Sequence, residues 1–419
     1  MLNPIGFGLA AMAATASLAW AGGDDEKNKN NSTLTTLAAP QDKKEGTSVS
    51  AKAGDGVKFE ADNFSLALKN RLQLQWRYLW NEDNPDQNTF RVRRARTVLE
   101  GMAFKKELTY KLQMDWVETN AIKDAWARWA FYKADDYEIA LRFGQQKTYF
   151  GREATGSSGN LEFVDRALAS STFSNARARG AMVQGSHGED GMVQWTLGAF
   201  NTDSAAGSTN SNEEAANVDN ELNYVLSVWL SPNGSKGLAG EGYSQGDLDR
   251  SDKLLYSVGA ALEIGNNKAN PASATSTDVD TMSINLNAAL KTGGIHGMVD
   301  VFIREDETDP AAGASVTADS MGWQAQVSYT LEPQEKDGPQ WSFGARYGMI
   351  KIDDAPIVMV GSPLGTLTGD VSELEVMLTN YYKKHKMKTQ VGWVLQSIEP
   401  DLGGDVDNHR FEVQFTLAF

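Results

Sequence analysis

The 419 residues carry a formal net charge of −16, no cysteine and only four histidines, His187, His296, His385 and His409. Disulfides, thiolate metal sites and thiol nucleophiles are thereby excluded, and the acidic total opposes binding to nucleic acid, whose phosphates need a basic face. The charge is unevenly spread: residues 22–63 sum to −2, residues 64–180 to +5 and residues 181–419 to −19. A basic block inside an acidic chain points either to drift along the chain or to a localised anion site.

In chain order, residues 5–21 form a small apolar run ending in Ala19-Trp20-Ala21, a small-x-small pattern. It is too short for a comfortable membrane span and reads as a signal peptide, residues 1–21, although no Lys or Arg precedes it. Residues 22–63 are rich in Asp, Lys, Asn, Ser and Thr and are expected to be a flexible polar leader.

From Phe64 the period is two. Leu66, Leu68, Leu72, Leu74, Trp76, Tyr78 and Trp80 alternate with Ser65, Lys69, Arg71, Gln73, Gln75 and Arg77. In a strand these sets point to opposite faces. Soluble strands usually run about 5–6 residues; a longer strand, greasy on one face and charged on the other, suits a membrane barrel. The pattern recurs and predicts sixteen strands: 64–80, 90–104, 107–118, 122–132, 137–147, 177–186, 191–201, 220–231, 252–265, 279–292, 295–306, 320–332, 340–353, 371–384, 386–398 and 409–419. No apolar run after residue 21 is long enough for a spanning helix, so a membrane reading requires a closed barrel. The rival reading is a secreted β-rich binding or adhesion protein, since soluble sandwiches and propellers also alternate. Connections alternate between long and short, except 232–251, which is long where a short turn is expected.

Two segments hold the basic block's character. In Phe90-Arg91-Val92-Arg93-Arg94-Ala95-Arg96, regular alternation would send Arg91 and Arg93 to the polar face and Arg94 and Arg96 into lipid. That costs about 2–4 kcal/mol per arginine near the midplane. Either a β-bulge near Arg93–Arg94 turns both pairs inward, or Arg94 and Arg96 lie at a rim or a subunit interface. The second segment is the connection 148–176, which opens Tyr149-Phe150-Gly151-Arg152-Glu153, passes Gly156 and Gly159, and holds a helix-like run Leu161–Leu168. Connections of this length are usually functional or disordered, and its apolar content favours packing.

These two segments resemble the phosphate-selective porin O/P family. The first, with Gly101, is similar to that family's FxxRRAR segment, and Phe143 to Glu153 is similar to its GxxKxxFGxE segment; Asp165-Arg166-Ala167, Arg179-Gly180 and the terminal Phe419 follow in order. The resemblance spans residues 64–419. It implies an all-β fold: a sixteen-stranded antiparallel transmembrane β-barrel of the bacterial outer membrane, trimeric, with the third loop folded inward. It also implies a ladder of Arg and Lys that guides anions such as phosphate.

The residues fit that chemistry. A guanidinium donates two parallel hydrogen bonds to an oxyanion, and several weak sites in series let the ion leave as well as enter. Strand parity places Lys69, Arg71 and Arg77, and then Lys111, Arg128 and Arg142, on the polar face; Arg91, Arg93, Arg94 and Arg96 join them if the bulge forms. Lys147, Arg152, Arg177 and Arg179 flank the long connection and can reach a constriction from it. The acids of the second half, Glu213, Glu214, Asp247, Asp249, Asp252, Glu305, Asp306, Asp353, Asp354, Asp401, Asp405 and Asp407, fall mostly in predicted connections and read as solvated, with bridging to lipopolysaccharide as the alternative. There is no Gly-x-Ser-x-Gly elbow, no metal spacing and no P-loop. The expectation is a porin without cofactor, metal or catalytic residues that passes phosphate or related anions. A general, polyphosphate or other-oxyanion porin stands beside it.

Overall fold

The computed structural model describes residues 46–419 except 82–84, 120, 175–176, 189–190, 202–220, 233–235, 270–276, 310–313, 336–337, 353–368 and 402. The signal segment and the leader up to residue 45 lie outside the described residues. The leader's last part is ordered: β1 (Ser48–Lys52) and β2 (Gly56–Ala61) form an antiparallel hairpin, so regular structure starts before residue 64.

The barrel strands follow: β3 (Phe64–Asn81), β4 (Gln87–Ala103), β5 (Lys105–Asp115), β6 (Ile122–Lys133), β7 (Tyr137–Gln146), β8 (Ala178–His187), β9 (Val193–Asn201) and β10 (Leu222–Leu230). Then come β11 (Leu255–Ala269), β12 (Thr277–Thr292), β13 (Ile295–Asp309), β14 (Val316–Thr330), β15 (Gln340–Ile352), β16 (Gly369–Lys383), β17 (Met387–Pro400) and β18 (Val406–Ala418). Each pairs antiparallel with the next, and β18 returns to β3 through Asn408↔Asn81 to Ala418↔Arg71, closing the sheet. Below that seam Asn70 and Phe419 exchange backbone hydrogen bonds, and β2 takes over the same edge of β3 from Leu68 to Phe64. All sixteen barrel strands coincide with the alternating segments of the sequence; β11, β13 and β14 run further toward the long-loop end than expected. No helix among the described residues is long and apolar enough to cross a membrane, so the chain crosses with strands.

The two faces are sorted as period two requires. Outward residues such as Leu74, Phe143, Leu197, Leu286, Ile303 and Phe343 are exposed, whereas Gln73, Gln75, Asn285, Asp300, Gln324 and Gln390 are buried inside. Short turns gather at one end, around Phe104, Ala134–Asp136, Gly293–Gly294 and Lys384–Lys386, which marks the periplasmic end of such a barrel. The exception, the connection between β10 and β11, is a true connection at that end. It makes two 3-10 turns, Lys236–Leu238 and Gly240–Gly242, and its Leu238, Ala239, Tyr243 and Gln245 are buried.

The connection from β7 to β8 contains α1 (Arg152–Thr155) and α2 (Leu168–Phe173). The helix expected over 161–168 is absent there, because strand side chains take its backbone groups. Lys388 donates to the Leu161 carbonyl, Gln390 to that of Glu162 at 2.6 Å and Arg346 to that of Asp165 at 3.1 Å. α2 packs on β13–β15, with Phe173 stacked on Phe302 at 5.7 Å. Gly322 makes room for it: a Cβ there would lie 2.4 Å from the Phe173 ring.

The outward face gives a direct test. Leu286 sits mid-strand in β12, half exposed. Leu286→Arg is expected to lower unfolding free energy by about 2–4 kcal/mol in a lipid bilayer, read by equilibrium urea titration in vesicles; an unchanged midpoint would contradict the assigned face.

Candidate functional site

The FxxRRAR-like segment lies in β4, and its register against β3 slips by one residue. Leu74 pairs with Val92 and Gln73 with Arg94, leaving Arg93 as the extra residue of a β-bulge. Directly opposed residues share a face, so Arg91 stands beside Gln75, Arg94 beside Gln73 and Arg96 beside Arg71, all on the inner side. The bulge lies where the cost of two arginines in lipid required it. Beyond it the parity of β4 inverts: Val98 faces Lys69 inside, and Leu99 faces Leu68 outside.

The result is a column of cations on two adjacent strands. Arg77, Arg91, Arg93, Arg94, Arg71, Arg96 and Lys69 descend over roughly 27 Å of strand at ~3.4 Å per residue. At its middle stands one carboxylate, Asp165, from the β7–β8 connection. Arg93 Nε donates to both its oxygens at 3.1 Å, Arg94 Nη2 donates at 2.7 Å, and Arg91 Nη2 lies 4.0 Å away. Burial alone would raise the Asp165 carboxyl; Arg94 and Arg93 overrule it and hold the group well below the usual carboxylate range.

Lower down, Arg71 reaches only hydroxyls, Ser157 Oγ at 3.3 Å and Ser158 Oγ at 3.2 Å, and its Nε has no partner. Arg96 Nη1 also donates to Ser158 Oγ, at 2.8 Å. Gly159 permits this approach, since a Cβ there would fall 1.9 Å from Arg71 Nη1. Arg77 has no carboxylate within 4 Å among the described residues, although it is paired across the seam with Glu412. Arg91, Arg93 and Arg94 therefore share Asp165, and Arg71 and Arg77 contact no acid among the described residues.

The other sequence candidates are matched one by one. Lys69 pairs with Glu100 at 2.6 Å and Arg96 with Asp115 at 2.7 Å. Arg177 and Lys111 both meet Asp124, at 2.7 and 3.4 Å. Arg128 pairs with Glu138. Arg142 meets Glu241 at 2.8 Å and lies 4.3 Å over the Trp126 ring. Burial would raise the Glu241 carboxyl, but Arg142 and Lys147 hold it at about 2. Arg179 pairs across the sheet with Gln145.

Two candidates are scaffolding. Lys147 donates to the carbonyls of Thr155 and Gly156, the open end of α1, and burial pushes its amine well down from the usual lysine range. Arg152 is fully buried; it donates to Leu238 O, to Asn287 Oδ1 at 3.0 Å, and to Ser257 O and Oγ at 3.2 Å. Both Lys147 and Arg152 hold the connection's shape.

Sequence reasoning missed several members. Arg166 donates to the carbonyls of Glu153, Ala154 and Gly156, a second cap on α1. Arg346 bridges Glu153, at 3.1 Å, and Glu375. Arg410 reaches Glu373 and Glu412, each at 3.3 Å. Their parity within β15 and β18 was a usable signal. The solvated-connection reading of the acids needs correction. Glu305 and Asp306 lie within β13, inside the predicted strand 295–306, and Asp306 is buried against Arg304; Asp407 lies within β18, which begins three residues before its expected start. Glu373, Glu375 and Glu412 also face inward. Asp247, Asp249, Asp252, Asp401 and Asp405 do lie in connections, with Asp247 buried; Glu213, Glu214, Asp353 and Asp354 are outside the described residues.

A closed sixteen-stranded barrel, apolar outside and lined with polar and charged residues, defines an outer-membrane porin, a channel of the bacterial outer membrane. The chain belongs to the phosphate-selective porin O and P family, whose profile matches residues 67–360. Among solved structures it is similar to the outer membrane channel DcaP of Acinetobacter baumannii, at 12% identity over 85% of this chain and 98% of that one, TM-score 0.55. It also resembles an anion-selective porin from Comamonas acidovorans, at 11% identity over 84% and 100% of the two chains, TM-score 0.47. No functionally curated protein matches the chain.

The scaffolding role of Arg152 predicts a stability effect. Arg152→Met leaves the Leu238 and Ser257 carbonyls without their donor, at about 1–3 kcal/mol each. The temperature at which the folded species converts on unheated gel electrophoresis is expected to fall, with the sign of ion preference retained.

Proposed function

We propose that this porin is an anion-selective diffusion channel for phosphate and chemically similar oxyanions. In this reading the ions pass along the β3–β4 column, and the β7–β8 connection, folded inward, narrows the path beside it. The observation that carries the reading is three guanidiniums, Arg91, Arg93 and Arg94, gathered on one carboxylate beside Arg71 and Arg77, which contact none among the described residues, while Lys69, Arg96, Lys111, Arg128, Arg142 and Arg177 are neutralised in pairs. Low-dielectric walls focus the excess positive charge on the lumen. Guanidinium forks with Ser157 and Ser158 match the oxygens of a phosphate, and the spread of donors along the strand gives several weak sites in place of one tight one. Asp165 keeps the arginines apart and moderates the field. In this reading the apolar N-terminal run is a signal peptide cleaved after Ala21, the protein works as a homotrimer, as the family resemblance implies, and lipopolysaccharide surrounds it in the outer membrane.

A second reading, a general or other-oxyanion porin, is favoured by the inward Glu412 on β18, which adjoins the column, and the inward Glu373 and Glu375 on β16, two strands further round. Planar-bilayer recording separates the two. Millimolar phosphate is expected to reduce chloride current through the wild type; no reduction together with substantial cation current would reject the phosphate reading.

Charge substitutions give graded tests. Removing one column charge changes the local potential by on the order of 1 kcal/mol, about fivefold in anion occupancy. Arg91→Ala with Arg93→Ala is expected to shift the zero-current potential in a salt gradient toward cations, and Asp165→Asn to shift it toward anions. An unshifted potential for both would remove the column from the selectivity mechanism.

A further inference from the structure

The connection between β10 and β11 enters from the periplasmic end and meets the β7–β8 connection inside the barrel. One residue makes most of that junction. Gln245 is fully buried, and every hydrogen-bonding group it has is used. Its backbone N–H donates to Asn160 O at 2.9 Å, and its carbonyl accepts from His385 Nε2 at 2.8 Å. Its side-chain oxygen accepts from the Glu162 N–H at 2.7 Å, and its amide nitrogen donates to Glu153 Oε1 at 3.0 Å. The last contact ties it also to Arg346, which holds the same Glu153 oxygen.

These partners bracket Ser157 and Ser158, whose hydroxyls meet Arg71 and Arg96, and Asp165 follows Glu162 by one turn of chain. The backbone from Asn160 to Glu162 is thus pinned from below at two points, one on each side of Leu161. Only a primary amide satisfies the pair of side-chain contacts. It must accept from a backbone N–H and donate to a carboxylate at once. A glutamate keeps the first contact and opposes Glu153 with like charge; a methionine keeps the volume and loses both.

We propose that Gln245 is a positioning residue for the anion column: from the periplasmic connection it sets where Ser157, Ser158 and Asp165 stand against the arginines, and so tunes ion selectivity from the far side of the channel. The inference rests on the anion-channel reading, and two measurements keep the two apart.

The first is independent of selectivity. Because the chain has no cysteine, Ser158→Cys introduces a single thiol into the purified full-length porin. Its labelling by a small charged methanethiosulfonate reports how well the segment is held. Adding Gln245→Met is expected to raise the labelling rate about tenfold, as expected when two buried hydrogen bonds are lost. An unchanged rate overturns the proposal whatever the channel conducts.

The second is a double-substitution cycle on the chloride-to-potassium permeability ratio. Gln245→Met alone is expected to lower that ratio by at least about twofold, and to have little further effect once Ser157→Ala and Ser158→Ala are present. Additive effects, or no effect of Gln245→Met, overturn the positioning role. A wild type without anion preference instead rejects the channel reading and leaves the labelling result to judge Gln245. Gln245→Glu serves for both measurements if Gln245→Met does not assemble.

Discussion

Every backbone N–H and C=O that enters a bilayer must find its partner within the protein, because hydrocarbon offers none. The pairing of β18 with β3 meets that demand for the whole sheet, since without it two edges would face lipid. The hairpin β1–β2 continues the arrangement below the seam by pairing the part of β3 that extends past Phe419. Closure then dictates the side chains. Alternate residues must suit lipid and the others are enclosed, so charged residues in long strands are committed to the interior.

Enclosing that many charges creates its own problem, and the molecule solves it unevenly. Around β5–β8, Lys111, Arg128, Arg142 and Arg177 each have a carboxylate within 4 Å. Around β15–β18 glutamates outnumber Arg346 and Arg410. Only along β3 and β4 do guanidiniums gather with one shared acid. The bulge at Arg93 is what makes this possible, because it lets three consecutive positions of one strand, 92 to 94, present two arginines inside and a valine outside. A device that avoids the cost of charge in lipid thereby also concentrates charge where a solute can meet it.

The β7–β8 and β10–β11 connections depend on each other. Lys147 and Arg166 close the end of α1, Arg152 pins its start to β11 and β12, and Gln245 secures the stretch that follows. Basic residues in the FGxE-type segment and its surroundings thus hold the connection in place, while the column itself comes from the strands. A cation in a pore-forming chain can serve the fold and leave the solute path to others; its partners distinguish the cases, since Arg152 spends its guanidinium on carbonyls and an amide, whereas Arg71 meets only two serines.

Sequence alone determined the strands, because period two is a local property. The alternation from Phe64 to Trp80 marks a lipid face whatever the rest of the chain does. It also offered a bulge near Arg93–Arg94, since the energetic cost of Arg94 and Arg96 in lipid is set by their own neighbours, and the register of β3 against β4 decided for it over a rim or interface placement. It did not reveal which arginines remain uncompensated. Asp165 lies 72 residues from Arg93 and Glu241 lies 99 residues from Arg142, and charge spacing along a chain says nothing about pairings over such distances. The helix expected over 161–168 failed for the same reason, as its carbonyls are claimed by Lys388, Gln390 and Arg346 from strands far along the chain. Local alternation decides which face a residue takes; only the closed barrel, which brings segments far apart in the chain together, decides what that residue meets there.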